Sequence, residues 1–318
     1  MDFLGIDIGG TRIKAGLVDD LGNVRRQLAE STPAGLAPFR QAFAELLRRA
    51  TGDSPLGAAG VACKGIIESD TRVAVIPGVF RFLEGQDLGA LVREALGRDL
   101  PVSADNDARV ALVGEMAWGA ARGKRNAVML TLGTGVGGAA LVEGRLLRGR
   151  SGAAGHFGHI TIDPGGPLCN CGNTGCLETF FSALAIEAEA IASVHRSSES
   201  RLTEEFSGGE DRLHCSDVFR LAEEGDEAAR SIRDRAIGRL AAAVVGLVHA
   251  FDPEVVILGG QISRAGSILL GALSDAVATR TRRLAGGRTP VVLSQLEDPS
   301  GIVGAAALAR LRVGGAVD

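Results

Sequence analysis

Residues 5–14 read GIDIGGTRIK, and the fold follows from that stretch. Phe3, Leu4 and Ile6 start an apolar strand that carries one acid, Asp7, into the turn Gly9-Gly10-Thr11. A second strand follows over 13–18, and Asp19-Asp20-Leu21-Gly22 turns the chain again. Two adjacent glycines let a backbone approach a ligand closely, because no Cβ intervenes. Successive free N–H groups in such a turn form a concave anion site. Asp7 is placed to hold a cation beside it. A plain tight hairpin accounts for the same residues.

The pattern returns later in the chain. Ile8-Gly9-Gly10-Thr11 lines up with Leu132-Gly133-Thr134-Gly135. At the same offset, Ala15-Gly16-Leu17-Val18-Asp19 lines up with Ala139-Ala140-Leu141-Val142-Glu143. Both copies read strand, glycine-rich turn, strand, acidic turn. Two such hairpins predict two similar halves, each offering amides to one phosphate chain. The alternative is two unrelated hairpins that share a turn chemistry.

A length of 318 residues predicts two domains. Hydrophobic residues at 46% and charged residues at 23% fit a soluble globular protein. Glycine, at 45 residues, is about twice its usual share, so close backbone approaches are frequent. A net charge of −4 argues against a nucleic-acid surface, which needs clustered cations. The apolar run over 240–248 is far short of the ~20 residues of a membrane span. No cationic leader follows Met1, so the expected compartment is the cytoplasm. There, five cysteines read as metal ligands or core thiols before disulfides.

The remaining elements alternate. Phe39, Phe43, Leu46 and Leu47 recur at helical spacing, and Gly52 stops that helix. A strand over 57–62 ends in Cys63-Lys64-Gly65. Leu88, Leu91, Val92, Ala95 and Leu96 mark a helix closed by Gly97. A strand over 101–104 runs into Asp105-Asn106-Asp107, which starts a helix reaching about Ala121. The strand 127–132 leads into Gly133-Thr134-Gly135-Val136-Gly137-Gly138, a formal match to the dinucleotide fingerprint G-x-G-x-x-G. That fingerprint needs a helix next, but 139–142 reads as a strand, so the match is rejected. Helices are expected at about 177–196, 216–224, 226–251 and 263–283, with 197–209 a polar exposed loop. Strands at 254–258, ending in Gly259-Gly260, and at 291–293 precede a last alanine-rich helix over 302–311. The class is α/β. The expected domains are 1–118 with 303–318, and 119–302.

Three constellations carry chemistry. Asp105-Asn106-Asp107 stands after a strand and at a helix start. Capping uses one such residue, so two remain, and a carboxylate here can accept a proton from a hydroxyl. A helix N-terminus keeps that carboxylate acidic, which is tolerable in phosphoryl transfer, where positioning outweighs basicity. Second, His159, Cys169, Cys171 and Cys176 fit a closed, structural Cys3His zinc site, with His156 as a substitute ligand and free thiols as the rival reading. Cys63 and Cys215 stand alone and read as packing residues, and His195, His214 and His249 as structural ones. Third, Glu178 reads equally as a helix cap or as an acceptor for a polyol.

With these residues in hand, the chain resembles the sugar kinases of the ROK family, in the actin-like and hexokinase-like ATPase superfamily. GIDIGGTRIK is similar to the family's first phosphate motif, and LTLGTGVGGA (130–139) to its second. DNDARVALVGE (105–115) resembles the segment E-N-D-A-N. GHITIDPGGPLCNCGNTGCLE (158–178) matches the signature G-H…C-x-C-G-x-x-G-C-x-E almost letter for letter. DPEVVILGG (252–260) resembles the adenosine-side motif.

The resemblance implies a two-domain actin-like ATPase (ribonuclease H-like) fold with a structural zinc loop. It implies ATP held at Gly9, Gly10, Thr11, Lys14, Gly133, Thr134, Gly135, Gly259 and Gly260, with Mg2+ positioned by Asp7 through water. It implies Asp107 as general base, and Gly65, Asn106, Asp107, His156, His159 and Glu178 around the sugar. It implies Zn2+ on His159, Cys169, Cys171 and Cys176, and a homodimer. The implied reaction is phosphorylation of a hexose or N-acylhexosamine, at O6, as in glucokinases.

The chain departs from the family pattern around the sugar. His156 replaces a glutamate and is similar to some bacterial N-acetylmannosamine kinases, the alternative activity. Lys64 replaces a proline. Pro77-Gly78-Val79-Phe80-Arg81-Phe82-Leu83 replaces P-N-L-P-G-W, and Arg109 replaces an asparagine. The family also holds sugar-binding transcriptional regulators with a helix-turn-helix ahead of the first phosphate motif. Here that motif starts at Gly5, so the expectation is a kinase.

Overall fold

A computed structural model of the chain describes residues 1–68, 71–76, 78–196, 200–208, 212–284, 286–296 and 300–314. The chain divides into two units. One holds Met1–Arg125, Ala139–Gly155 and Ser294–Asp318, and the other Asn126–Gly138 and His156–Leu293.

The first sheet begins with an antiparallel run, β1 (Asp2–Ile8), β2 (Arg12–Val18) and β3 (Val24–Ser31). After α1 (Leu36–Thr51), β4 (Leu56–Cys63) pairs with β1 in parallel. The short strands β5 (Ile66–Ile67) and β6 (Val73–Val75) pair with each other. α2 (Leu88–Leu96) crosses back, and β7 (Val102–Asn106) joins β4 in parallel before α3 (Asp107–Trp118). The order is β3-β2-β1-β4-β7. The second sheet is built from β8 (Ala127–Leu132), β9 (Val136–Val142) and β10 (Arg145–Leu146). After α4 (Ala183–Arg196), α5 (Arg201–Gly208), α6 (Cys215–Glu223) and α7 (Glu227–Phe251), it takes β11 (Val255–Gly259) and, past α8 (Gly266–Arg280), β12 (Val291–Leu293). Its order, β10-β9-β8-β11-β12, repeats that of the first sheet. The echoed glycine turns thus mark a repeated α/β fold. β9 follows the second turn where a dinucleotide fold would place a helix.

β1 is buried along almost its whole length, as a central strand covered on both faces should be. α1 buries Phe39, Phe43, Leu46 and Leu47 on one stripe. Phe39 and Phe43 stack with ring centroids 5.3 Å apart. Each such side chain removed from water contributes about 1.5–3 kcal/mol. α9 (Ser300–Gly314) lies directly on the first sheet. A Cβ at Gly60 would stand 1.8 Å from the Ala305 carbonyl oxygen, and one at Gly304 2.4 Å from that of Val110. Glycine here is a steric requirement for bringing α9 onto β4 and α3.

Several expectations need correction. The stretch 197–209 contains a helix, α5, with Leu202 buried; residues 197–199 and 209 lie outside the described residues. Its start is held from afar, because Asp226 accepts the Arg201 N–H at 2.8 Å and the Ser200 hydroxyl at 3.1 Å. The helix expected over 177–196 is a 3-10 turn, Leu177–Thr179, and then α4, whose first turn is bonded by the Ser182 hydroxyl. α3 ends at Trp118, ahead of Ala121, because Glu115 takes the Ala120 N–H at 2.6 Å. β3 has no counterpart in the sequence reading. It is an exposed edge strand whose charged face hides the apolar alternation. Among the described residues no helix is long and apolar enough to cross a membrane.

Candidate active site

In the first unit the carboxyl ends of β1, β4 and β7 come level. Ile8 pairs with Cys63, and Cys63 with Asn106. Asp7 and Asp105 are level through Ala62, on strands about 10 Å apart at a spacing of about 4.8 Å per strand. Open α/β sheets bind ligands at this edge. The Cys63 thiol is pushed up, first by burial and then by the charges of Asp107 and Asp7.

The three residues at the start of α3 do different things. Asp105 is buried and bonds Arg109 Nε at 2.6 Å. Asn106 caps the helix, accepting the Ala108 N–H at 3.0 Å, and donates to the Gly65 carbonyl at 2.9 Å. Asp107 is exposed, between buried Asn106 and Ala108, and also accepts the Ala108 N–H at 2.9 Å. Of the three residues, Asn106 takes the one capping duty, and Asp107 is left exposed.

The turn at Gly9 is tied back through its carbonyls. Gly9 N–H donates to Arg12 O at 3.0 Å, the Thr32 hydroxyl to Gly9 O at 2.8 Å, and Thr32 N–H to Thr11 O at 3.0 Å. Among the described residues no acceptor meets the N–H of Gly10 or Thr11, and both residues are exposed. Lys14 sits on β2 opposite Asp7. Lys64 is exposed beside Gly65. Pro77 lies outside the described residues. The turn Gly78–Leu83 that follows is anchored by buried Phe80 and by Phe82 against Phe39, with Arg81 exposed between them.

In the second unit the turn Gly133-Thr134-Gly135 is closed by Gly133 N–H on Gly135 O at 3.0 Å. Its Gly133 carbonyl accepts the Ala183 N–H at the start of α4 at 2.9 Å. Gly260, at φ +87°, packs on Leu132, where a Cβ would stand 2.4 Å from the carbonyl oxygen. Gly259 and Gly260 therefore end β11 beside the base of that turn. Glu178 Oε2 accepts the Val136 N–H at 2.7 Å. Glu178 thus accepts a backbone N–H at the glycine turn, a role neither of its two readings named.

His156 and His159 flank one 3-10 turn, their rings nearly parallel at 13° with centroids 6.4 Å apart. His159 Nδ1 lies 3.6 Å from Cys169 Sγ, and Cys171 Sγ 3.7 Å from Cys176 Sγ. All four ligand atoms fall within 4.8 Å of one another. A tetrahedral zinc ion with Zn–S of about 2.3 Å and Zn–N of about 2.0–2.1 Å sets S–S and N–S edges of about 3.6–3.8 Å. The donor set and these spacings fit that ion, with His159 as the histidine of the cluster. Arg239 on α7 braces the loop, 2.9 Å from Asp163 and over the Phe180 ring.

The same unit holds a cavity of about 710 Å³. Gly133 lies on its wall with Ala183 and Glu187 of α4, His214 to Ser216, Phe219, Arg220 and Glu223 around α6, and Gln261, Ile262 and Ala265 after β11. Pockets of this size take drug-sized ligands.

The ROK family model matches residues 3–312. This chain belongs to the ROK family. It is 34% identical to a glucokinase from Thermotoga maritima, with 99% of each chain covered. It is 31% identical to an N-acetylmannosamine kinase from Escherichia fergusonii, covering 98% of this chain and 99% of that one. A crystal structure of a ROK family glucokinase from Streptomyces griseus, in complex with glucose and AMPPNP, superposes with a TM-score of 0.82 at 31% identity, over 98% and 99% of the two chains.

The ROK motifs located the turns and the cysteine loop, but not the cavity wall. His214 and Cys215, read as isolated residues, both line it. His214 also starts α6, where its N–H donates to Asp217 at 2.9 Å. Burial pushes the Cys215 thiol up to about 12, helped by Glu187 and Asp217. The signal for this wall was weak, because α6 carries no glycine motif and reads as an ordinary amphipathic helix.

Proposed function

We propose that the protein is an ATP-dependent sugar kinase that transfers the γ-phosphoryl group to O6 of a hexose or N-acylhexosamine. The observation that carries this reading is Asp107, an exposed carboxylate at the carboxyl edge of the first sheet, whose neighbours Asp105 and Asn106 are buried and bonded. Asp107 orients the sugar hydroxyl and takes its proton as the phosphoryl group arrives. In a loose transition state, aim matters more than base strength. In the first unit the unbonded amides of Gly10 and Thr11 bind phosphate, and in the second unit the turn Gly133-Thr134-Gly135 does. The nucleoside sits in the cavity beside Gly133, within reach of Gly259 and Gly260. Lys14 adds positive charge on the strand that leaves the first turn.

Asp7 would hold magnesium through water, and the ion would offset phosphate charge. His159, Cys169, Cys171 and Cys176 would hold zinc, which supplies structure and no step of the reaction. That loop presents His156, His159 and Glu178 for the sugar; with Nδ1 of His159 on the cluster, Nε2 is left for a hydroxyl. In the first unit, the resemblance assigns Gly65 and Asn106 to the sugar. The glucokinase relatives favour glucose, and His156 and the N-acetylmannosamine kinase relatives favour the N-acyl sugar as the second reading. A homodimer is implied by the resemblance and is tested by light scattering.

The deciding experiment is a coupled assay of ADP release with glucose, mannose, fructose, allose, glucosamine, N-acetylglucosamine and N-acetylmannosamine. Turnover with one of them, and phosphate found on O6, is the expected result. Sugar binding by calorimetry with no ADP release from any of them would sink the kinase reading in favour of a sugar-binding regulator.

A further inference from the structure

Among the described residues Arg109 is the largest fully buried side chain. It lies on α3 two residues after Asp107. Its Nε donates to Asp105 Oδ1 at 2.6 Å and its Nη1 to the Ala154 carbonyl at 3.0 Å. Asp105 Oδ1 also accepts the Asn106 N–H at 2.7 Å, and Oδ2 lies 3.0 Å from Arg148 Nη2. Ala154 N–H donates to Arg148 O at 3.2 Å. A closed ring of interactions thus runs from the end of β7, through the first turn of α3, to the segment 148–154, all inside the first unit.

The Asp105 and Arg109 side chains are 3% and 1% exposed. Taking a guanidinium and a carboxylate out of water is costly, and apolar side chains of like size often serve stability as well. The pair is also imperfect as a stabilising device, because Arg109 Nη2 and Asp105 Oδ2 are buried with no hydrogen-bond partner, Oδ2 meeting Arg148 only as an ion pair. What the pair does accomplish is geometric. Asp105 holds the backbone N–H of Asn106, Arg109 holds the segment 148–154, and Asp107 projects from the turn between them.

We propose that Arg109 is a positioning residue for Asp107: its guanidinium clasps the turn that bears Asp107 to the segment 148–154 and so fixes the aim of the Asp107 carboxylate. This rests on the kinase reading. Arg109 touches no substrate in this account and acts through Asp105 and the backbone.

The test compares Arg109→Met with the double variant Asp105→Asn/Arg109→Met. A displaced reacting group costs up to about 100-fold in rate. Arg109→Met should lower kcat about 10- to 100-fold, while KM for sugar and ATP stays within about threefold. It also leaves a buried carboxylate short of its partner, so its melting temperature should fall. The double variant removes both charges. Its melting temperature should recover while kcat stays low. Recovery of kcat together with the melting temperature would reduce Arg109 to a structural role and overturn the proposal. Amide hydrogen exchange gives a readout independent of turnover. In the double variant, peptides covering 105–109 and 148–155 should lose protection together; loss in one alone, or in neither, overturns the clasp. A wild-type protein inactive on every sugar would defeat the kinase reading, and the exchange result would still decide whether the clasp exists.

Discussion

The Glu178 carboxylate accepts the Val136 N–H at 2.7 Å. Glu178 follows the cysteine loop by two residues, and Val136 opens β9 directly after Gly135. One charged hydrogen bond therefore couples the end of the cysteine loop to the glycine turn within the second unit. Hydrogen bonds to charged groups contribute about 1.5–3 kcal/mol. Glu178→Ala should lower the melting temperature and raise KM for ATP about tenfold, the equivalent of about 1.4 kcal/mol. Glu178→Gln keeps an acceptor for Val136 and should retain most of the stability. An unchanged KM for ATP in Glu178→Ala would disconnect the loop from the turn.

The two glycines of that turn differ in a measurable way. A Cβ at Gly135 would lie 2.3 Å from Glu178 Oε2, whereas a Cβ at Gly133 meets nothing within 4 Å. Gly135→Ala must displace a carboxylate already fixed by Val136, so it should lower the melting temperature and weaken ATP binding. Gly133→Ala should melt as the wild type does. Any rise in KM for ATP in Gly133→Ala then reports contact with the nucleotide, since the fold has room for the methyl group. Equal melting temperatures for both variants would contradict the packing at Gly135.

The parts of the molecule legible in the sequence are those whose chemistry is local. Gly9-Gly10-Thr11 and its echo at Gly133 gave the repeated sheets because glycine-rich turns between apolar strands have few other uses. His159 and the three cysteines declared themselves by ligand spacing, and the structure singled out His159 over His156 as the histidine of the cluster. What stayed hidden depends on partners far away in the chain. α5 looked like loop because its start is bonded by Asp226. Glu178 could not be assigned because its partner, Val136, is 42 positions away. Arg109 read as a departure near the sugar, but its partners are Asp105 and Ala154.

Asp107→Asn is the sharpest test of the base. The variant keeps an oxygen for the Ala108 N–H, now bonded at 2.9 Å, so the start of α3 should survive. General bases contribute about 10²–10⁴-fold in rate. Sugar phosphorylation should fall by at least that range's lower bound, with sugar and ATP still bound in calorimetry. A variant that keeps a tenth of the wild-type rate would rule out this role for Asp107.

Metal analysis of protein purified without chelator should find about one zinc per chain. Burial, with hydrogen bonds donated to the Cys171 and Cys169 sulfurs, pushes the Cys176 thiol up to about 12. A bound cation is what turns such a thiol into a thiolate ligand. Chelation, or Cys176→Ser, should therefore lower the melting temperature and disorder the loop that carries His159 and Glu178. Protein that contains no zinc and melts identically with and without chelator would remove the metal site.

Acid should find the cap of α7. Asp226 accepts the Ala229 N–H at 2.8 Å as well as the Arg201 N–H at 2.8 Å. Burial pushes its carboxyl up, but the hydrogen bonds from Ala229, Arg201 and Ser200 outweigh that and hold it below the ordinary 3.8. Near that value the unfolded chain binds more protons at this site than the folded one, so stability rises with pH there. The contribution is complete above the unfolded value and is lost as pH falls through about 4 toward the lower folded value. Asp226→Asn should thus melt well below the wild type at pH 6, and the gap should close as the pH is brought from about 4 to about 2. A gap of constant size across that range would show that the charge of Asp226 contributes nothing to the joint between α5 and α7.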